Sequence, residues 1–461
     1  MIEAMYGSVP SKPEGPKDCP PYLGDIVYRA PSDLQPWPNN PRKHSDKQKA
    51  KLKASIRKFG FTSVVVIDEI GMVLSGHCRV EVSIEMGLPT IPTRTIFGLT
   101  EDSKRAYVLA DNKTAELAQW DNTLLKSEIE LLIRADFEIE TTGFSTAEID
   151  LMFDDPAAPQ GSDPDDLQAD DISKEVISRK GDHWQLGSHR LLCGDALDPN
   201  SYQAVMQGDL AQLVISDVPY NVKINGHVSG KGKAKHAEFL QASGEMSPQE
   251  FSSFLHAAFT HTHACSQDGA IHFYFIDWRH IRELQDAAQP LFGTPRQLCV
   301  WVKDNGGMGT FYRSQHELVF AFKKGEAPHI NNFELGQHGR YRTNVWEYAG
   351  ANSFQGEGHE LLAVHPTVKP VSLIADALRD CSHRKGVVLD PFAGSGTILV
   401  AAERTGRHAR TIELDPQYVD VAVLRWQRAT GKKAILAATG QTWSQVRAER
   451  LSERTEVCHG L

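Results

Sequence analysis

Two short stretches hold the residues whose types and spacing suit chemistry. In the first, Asp217-Val218-Pro219-Tyr220-Asn221 follows the apolar run Leu213-Val214-Ile215, so a carboxylate, a rigid turn and an aromatic ring meet where a buried strand ends. The carboxylate can accept hydrogen bonds and the ring can stack on a planar ligand. In the second, Val387-Val388-Leu389-Asp390-Pro391-Phe392-Ala393-Gly394-Ser395-Gly396-Thr397 reads as a buried strand, a tight glycine turn and the start of a helix running from Ile398 to Arg404. Such a turn lets a ligand lie against the backbone amides of a helix N-terminus, at the carboxyl edge of a parallel sheet. A further strand, Ala409 to Ile412, ends in Glu413, about 20 residues past the glycines, where an acid accepts ribose hydroxyls.

The chain that must position these residues has 461 of them, 41% hydrophobic and 23% charged, enough for two or three domains. No run approaches the roughly 18 apolar residues of a membrane helix. Seven cysteines stand singly, with no C-x-x-C pair, and Met1 to Pro21 lacks a charged start followed by an apolar run; a reduced, cytoplasmic setting is expected. The formal charge of -10 says little against nucleic acid, because phosphate binding depends on local basic surface. Acids, Pro, Gly and Ser replace apolar periodicity from Asp154 to Asp171. The expected division is therefore a domain at 22–153, an acidic linker at 154–177, a second domain at 178–435 and a tail at 436–461.

In the first domain, Ser45 caps an expected helix with Leu52, Ile56 and Phe59 on one face and Gly60 as its stop. A hairpin follows, Val64 to Ile67 and Met72 to Leu74 about a Glu69-Ile70-Gly71 turn, then helices over Arg79 to Met86 and after Thr100. The order Asn40-Pro41-Arg42, helix, hairpin and Gly76-His77-Cys78-Arg79 resembles the ParB/sulfiredoxin-like N-terminal domain over about Tyr22 to Asp121. That resemblance implies an α+β fold and a nucleotide phosphate site at Arg42, Gly76 and Arg79. Cys78 sits next to Arg79 and not two residues before it, so it departs from the sulfiredoxin pattern, and a buried small residue is the expectation there.

The Asp217-Val218-Pro219-Tyr220 segment resembles the D-P-P-Y signature of amino-methyltransferases, with Val218 in place of the first proline. Because this motif precedes the Asp390 to Thr397 turn, the arrangement resembles the circularly permuted β group, over about Gly181 to Lys432. The resemblance implies an α/β, Rossmann-like domain that moves a methyl group from S-adenosylmethionine to the exocyclic amine of a flipped base in double-stranded DNA. Adenine N6 is favoured by the acid in first place, with cytosine N4 as the alternative. It gives Asp217, Pro219 and Tyr220 the target amine, and Asp390, Pro391, Phe392, Gly394, Gly396, Thr397 and Glu413 the cofactor. His365 and Lys369 of the His365-Pro366-Thr367-Val368-Lys369-Pro370 segment are expected at the cofactor's methionine end, with Asp195 nearby.

DNA contacts are expected from Asn221, Lys231, Lys233 and Lys235 between the motifs, and from Arg313, Arg340 and Arg342 interleaved with Tyr312, Tyr341 and Trp346. His256, His261, His263 and Cys265 have spacings that could suit zinc, but Phe251 to Ala264 has helical apolar spacing that points His261 and His263 to different faces, so no metal site is expected. A homodimer stays open. Two rivals also stand: methylation of RNA or protein glutamine, and a DNA-binding regulatory protein whose methyltransferase half is impaired by Val218.

Overall fold

The computed structural model describes residues 23–153, 175–222, 244–304, 306, 311–333, 336, 340–350 and 368–459. The chain falls into two compact units, Met1–Ser145 and Thr146–Leu461.

The first unit carries a four-stranded sheet in the order β1 (Leu23–Arg29), β4 (Ile91–Ile96), β2 (Val65–Ile67), β3 (Val73–Ser75). Local signals set its helices. Ser45 Oγ accepts from the Gln48 amide at 3.2 Å to open α1 (Asp46–Phe59), and Gly60 ends it at φ 80°. Thr100 opens α3 (Glu101–Leu117) in the same way. Between them, α2 (His77–Glu85) begins at Gly76, which takes φ 94°. Asp121 caps α4 (Asn122–Arg134) through two amides. The sequence reading did not identify α4.

The second unit is wound around a ten-stranded sheet. Its strands are β5 (His183–Leu186), β6 (His189–Cys193), β7 (Ala211–Asp217), β8 (Ser266–Ile276), β9 (Gln297–Val302), β10 (His316–Lys323), β11 (Val345–Glu347), β12 (Val387–Asp390), β13 (His408–Glu413) and β14 (Ile435–Leu436). They lie in the order β11-β9-β10-β8-β7-β12-β13-β6-β5-β14, and the run from β8 to β6 is parallel. The helices are α5 (Thr146–Phe153), α6 (Pro199–Met206), α7 (Pro248–Ala264), α8 (Ile281–Phe292), α9 (Val371–Cys381), α10 (Thr397–Thr405), α11 (Pro416–Thr430) and α12 (Trp443–His459).

Two cores flank the sheet. Leu213 and Ile215 of β7 face the core of α9, α10 and α11, while Val214 between them faces that of α6, α7 and α8. Burial on both faces explains why the central strands read as unbroken apolar runs.

The boundaries differ from the expectation. Helix α5 clusters with the second unit, because Asp150 inserts a carboxylate between Arg407 and Arg384. Ile177, placed in the linker by the sequence reading, is buried, and its amide donates to Asp420 of α11. Residues 154–174 of that linker lie outside the described residues. The segment 436–461 holds helix α12, whose Trp443 and Val446 enter the core and whose Arg450 pairs with Asp182. Acidic and basic residues dominate this helix's sequence, which hid its few buried positions.

Candidate active site

Parallel pairing brings the two motifs to one rim. Val388 and Leu389 of β12 pair with Leu213 and Val214 of β7, so both strands end side by side. The Ser216 hydroxyl donates to Asp390 Oδ1 at 2.8 Å and joins them. Glu413 closes β13, the next strand, opposite Cys193 of β6. Carboxyl ends of adjacent parallel strands are where α/β sheets bind ligands.

The glycine turn is built by its supports. Gly396 takes φ 75° at the N-cap of α10, and a Cβ there would lie 2.6 Å from the Ala422 Cβ of α11. Glycine lets the two helices touch. Arg425, fully buried on α11, donates to the Ser395 hydroxyl at 3.2 Å and to Thr397 Oγ1 at 2.9 Å. The Thr397 hydroxyl in turn donates to the Lys369 carbonyl. Arg425 escaped the sequence reading, since nothing local distinguishes it from the other charges of a C-terminal helix.

Glu413 accepts the Gly394 amide at 2.7 Å on one oxygen and the Asp415 amide at 2.8 Å on the other. Burial lifts its pKa to about 7. Burial lifts Asp390 to about 7 as well, although the Phe392 amide and the Ser216 hydroxyl hydrogen-bond to it. Asp195 follows β6 on the same rim and accepts the Leu197 amide at 2.9 Å. An acid at the strand end, a helix N-terminus and a glycine turn form a donor and acceptor set that fits a nucleoside with a free ribose diol.

Beside it stands a network of charges. Tyr220 OH lies 2.7 Å from Asp217 Oδ1 and 2.8 Å from Glu317 Oε2. Lys369 Nζ lies 2.6 Å from Asp217 Oδ2 and 3.1 Å from Glu317 Oε2. Lys303 Nζ takes the other Glu317 oxygen at 2.6 Å. Burial raises the Asp217 pKa, and Lys369 only partly opposes it. Burial works on Glu317 too, but Lys369 and Lys303 together outweigh it and hold that acid down at about 2. Burial disfavours the Lys369 ammonium, and Asp217 and Glu317 more than compensate, so its pKa rises. Val218 is 1% exposed, so packing fixes the turn where a proline would have fixed φ.

Some expected residues stand elsewhere than foreseen. Lys369, expected at a cofactor carboxylate, has its ammonium on Asp217 and Glu317. Asn221 is buried and not a surface contact: Oδ1 accepts the Gly244 and Met246 amides while Nδ2 donates to the Met246 carbonyl. Arg340 and Arg342 are ion-paired within the unit, their guanidinium groups held by Asp376 and Asp380 of α9, and Trp346 is buried. Arg313, Tyr312 and Tyr341 are exposed. Lys231, Lys233, Lys235 and His365 lie outside the described residues. In the first unit, Arg42 donates to the Asn112 side chain at 3.1 Å. Gly76 abuts Arg79, whose Nη1 lies 3.3 Å from where a Cβ would stand. Cys78 is buried, which raises its thiol pKa.

A family model for N6/N4-type DNA methylases matches residues 211–424. A second, described as a ParB-methyltransferase HTH domain, matches residues 123–180, across the stretch read as a linker. The ParB-like nuclease domain-containing protein YnaK of Escherichia coli (strain K12) is 40% identical over 80 residues, 17% of this chain and 92% of that protein. Type II methyltransferase M.ScaI of Streptomyces caespitosus is 36% identical over 87 residues, 19% of this chain and 29% of that protein. Among solved structures, PvuII DNA methyltransferase (cytosine-N4-specific) aligns with a TM-score of 0.40 at 15% identity, over 52% of this chain and 89% of that one.

Proposed function

We propose that this chain, whose residues 211–424 match the N6/N4 DNA methylases and which carries a ParB-like domain, methylates the N6 amine of an adenine turned out of duplex DNA. One observation supports this reading above the others: the acid of β7 and the glycine turn after β12 share a rim and are joined by the bond from Ser216 to Asp390.

S-adenosylmethionine, the family's cofactor, supplies an electrophilic methyl group on a sulfonium centre. Gly394, Gly396 and Glu413 fit its nucleoside part, since the turn presents backbone amides and the acid accepts ribose hydroxyls. An exocyclic amine is a poor nucleophile because its lone pair is delocalised into the ring. Asp217 accepts one N–H and the Val218 carbonyl the other, which draws the nitrogen toward a tetrahedral shape. The bound cofactor would supply the methyl group to that nitrogen, and Asp217 would accept the proton that the amine gives up. Its raised pKa suits a carboxylate that must take a proton. The face of Tyr220 supports the base. Arg42, Gly76 and Arg79 are the proposed contacts for a nucleotide phosphate in the first unit.

The test is methyl transfer by the full chain from tritiated cofactor to duplex DNA, RNA and protein, followed by sequencing of the modified DNA. Label on adenine in DNA is expected. Label confined to RNA or protein, or found on cytosine, would overturn the assignment. Asp217→Ala should lower transfer at least about 100-fold while cofactor affinity stays within a few-fold, because the acid and the turn belong to different strands.

A further inference from the structure

Asp217 is fully engaged in this structure, and the target amine needs it. Oδ1 faces the Tyr220 hydroxyl and Oδ2 the Lys369 ammonium. The lysine is enclosed: Lys369 is 5% exposed and lies between the rings of Tyr220, Phe275 and Trp301, 5.3 to 5.7 Å from their centroids. Pulling a buried ammonium off its carboxylate with nothing to replace it is strongly unfavourable.

Glu317 removes that obstacle. Its Oε2 is already within reach of both donors, at 2.8 and 3.1 Å, while Lys303 fixes Oε1. A tyrosine hydroxyl has one proton and can donate to only one carboxylate at a time. Tyr220, at hydrogen-bond distance from both acids, is therefore a two-position donor.

Resting on the methyl-transfer reading, we propose that Glu317 is a positioning residue that takes Tyr220 and Lys369 over from Asp217 when the target amine arrives, freeing Asp217 with no buried donor unmatched. The position of Glu317 follows from topology. Strand β10 runs antiparallel to β8, so its first residues lie at the rim where β7 and β8 end. Lys369 and Lys303 together hold Glu317 anionic.

The exchange is tested in the full-length protein with Glu317→Gln, Lys369→Met and the double variant, read as single-turnover methyl transfer to DNA alongside cofactor affinity and thermal unfolding. Glu317→Gln leaves Lys369 with Asp217 as its carboxylate among the described residues, and the rate should fall about tenfold or more with cofactor affinity unchanged. With the lysine also gone, Asp217 Oδ2 loses its ammonium and only Tyr220 remains on Oδ1, and the double variant should recover at least about threefold over Glu317→Gln alone. Glu317→Asp, one methylene shorter, should fall between wild type and Glu317→Gln, and it carries the test if the Gln variant fails to fold. Wild-type rates in Glu317→Gln, or a double variant slowed by the product of the single effects, would overturn the exchange while leaving methyl transfer intact. A wild-type protein that transfers no methyl group would remove the parent reading and the exchange with it.

Discussion

Replacing Gly396 by alanine tests whether the cofactor turn is set by helix contact or by backbone dihedral alone. The residue sits at φ 75°, and an added Cβ would meet the Ala422 Cβ at 2.6 Å, well inside ordinary carbon contact. Left-handed backbone costs an L-residue about 1–2 kcal/mol, and forcing a methyl group into a packed interface adds about 1–3 kcal/mol. Gly431 supplies the control: it takes φ 68° at the end of α11 with nothing within 4 Å of its would-be Cβ. Gly431→Ala should therefore cost only the dihedral part, about 1–2 kcal/mol, and Gly396→Ala about 2–5 kcal/mol. In thermal unfolding the second loss corresponds to roughly 4–20 °C, at about 2–4 °C per kcal/mol for a domain of this size. Cofactor affinity measured by calorimetry should drop for Gly396→Ala and hold for Gly431→Ala. Equal destabilisation of the two variants would refute the packing argument.

Asp150→Ala should destabilise the second unit by about 3–5 kcal/mol in urea unfolding, since it strips the buried Arg407 guanidinium of the carboxylate that binds it through two bonds; a loss under about 1 kcal/mol would contradict that role. Cofactor affinity should rise with pH between about 6 and 8, because burial holds Glu413 protonated up to about 7 and ribose hydroxyls favour the ionised acid. Titration calorimetry of Glu413→Gln should show this dependence flattened. The same burial works against folding without cofactor: Glu413 and Asp390 keep protons in the folded chain that the unfolded chain releases near 4.5 and 3.8. Stability should therefore fall as pH climbs from that range through about 7.

Local chemistry was legible in the sequence. Ser45 and Gly60 bound α1 as read, and the hairpin, the glycine turn and the strand ending in Glu413 stand where spacing put them. Features that depend on distant partners were not legible. Arg340 and Arg342 look like a phosphate-reading pair until Asp376 and Asp380 are seen to face them from α9. Two acids one turn apart in the largely apolar run Val371 to Cys381 were the available hint, since a helix face that buries acids must be met by cations. Glu317 was a lone acid heading an apolar strand. Only the antiparallel direction of β10 brings it to the rim, and strand direction is not encoded locally. Lys369 was recognised as a site residue from its motif, but the anions it meets come from strands β7 and β10, Asp217 lying 152 positions earlier in the chain.

Asn221 has a consequence for how such a protein can diversify. With φ 52° and a side chain bonded to the backbone at Gly244 and Met246, it clasps the two ends of the intervening insertion a few ångströms from Tyr220. Exchanging residues 223–243 for a stretch of different length and sequence then leaves the catalytic corner anchored, because the clasp lies outside the portion exchanged. The hydrogen bonds that join Asn221 to Gly244 and Met246 are made by residues that such an exchange leaves in place.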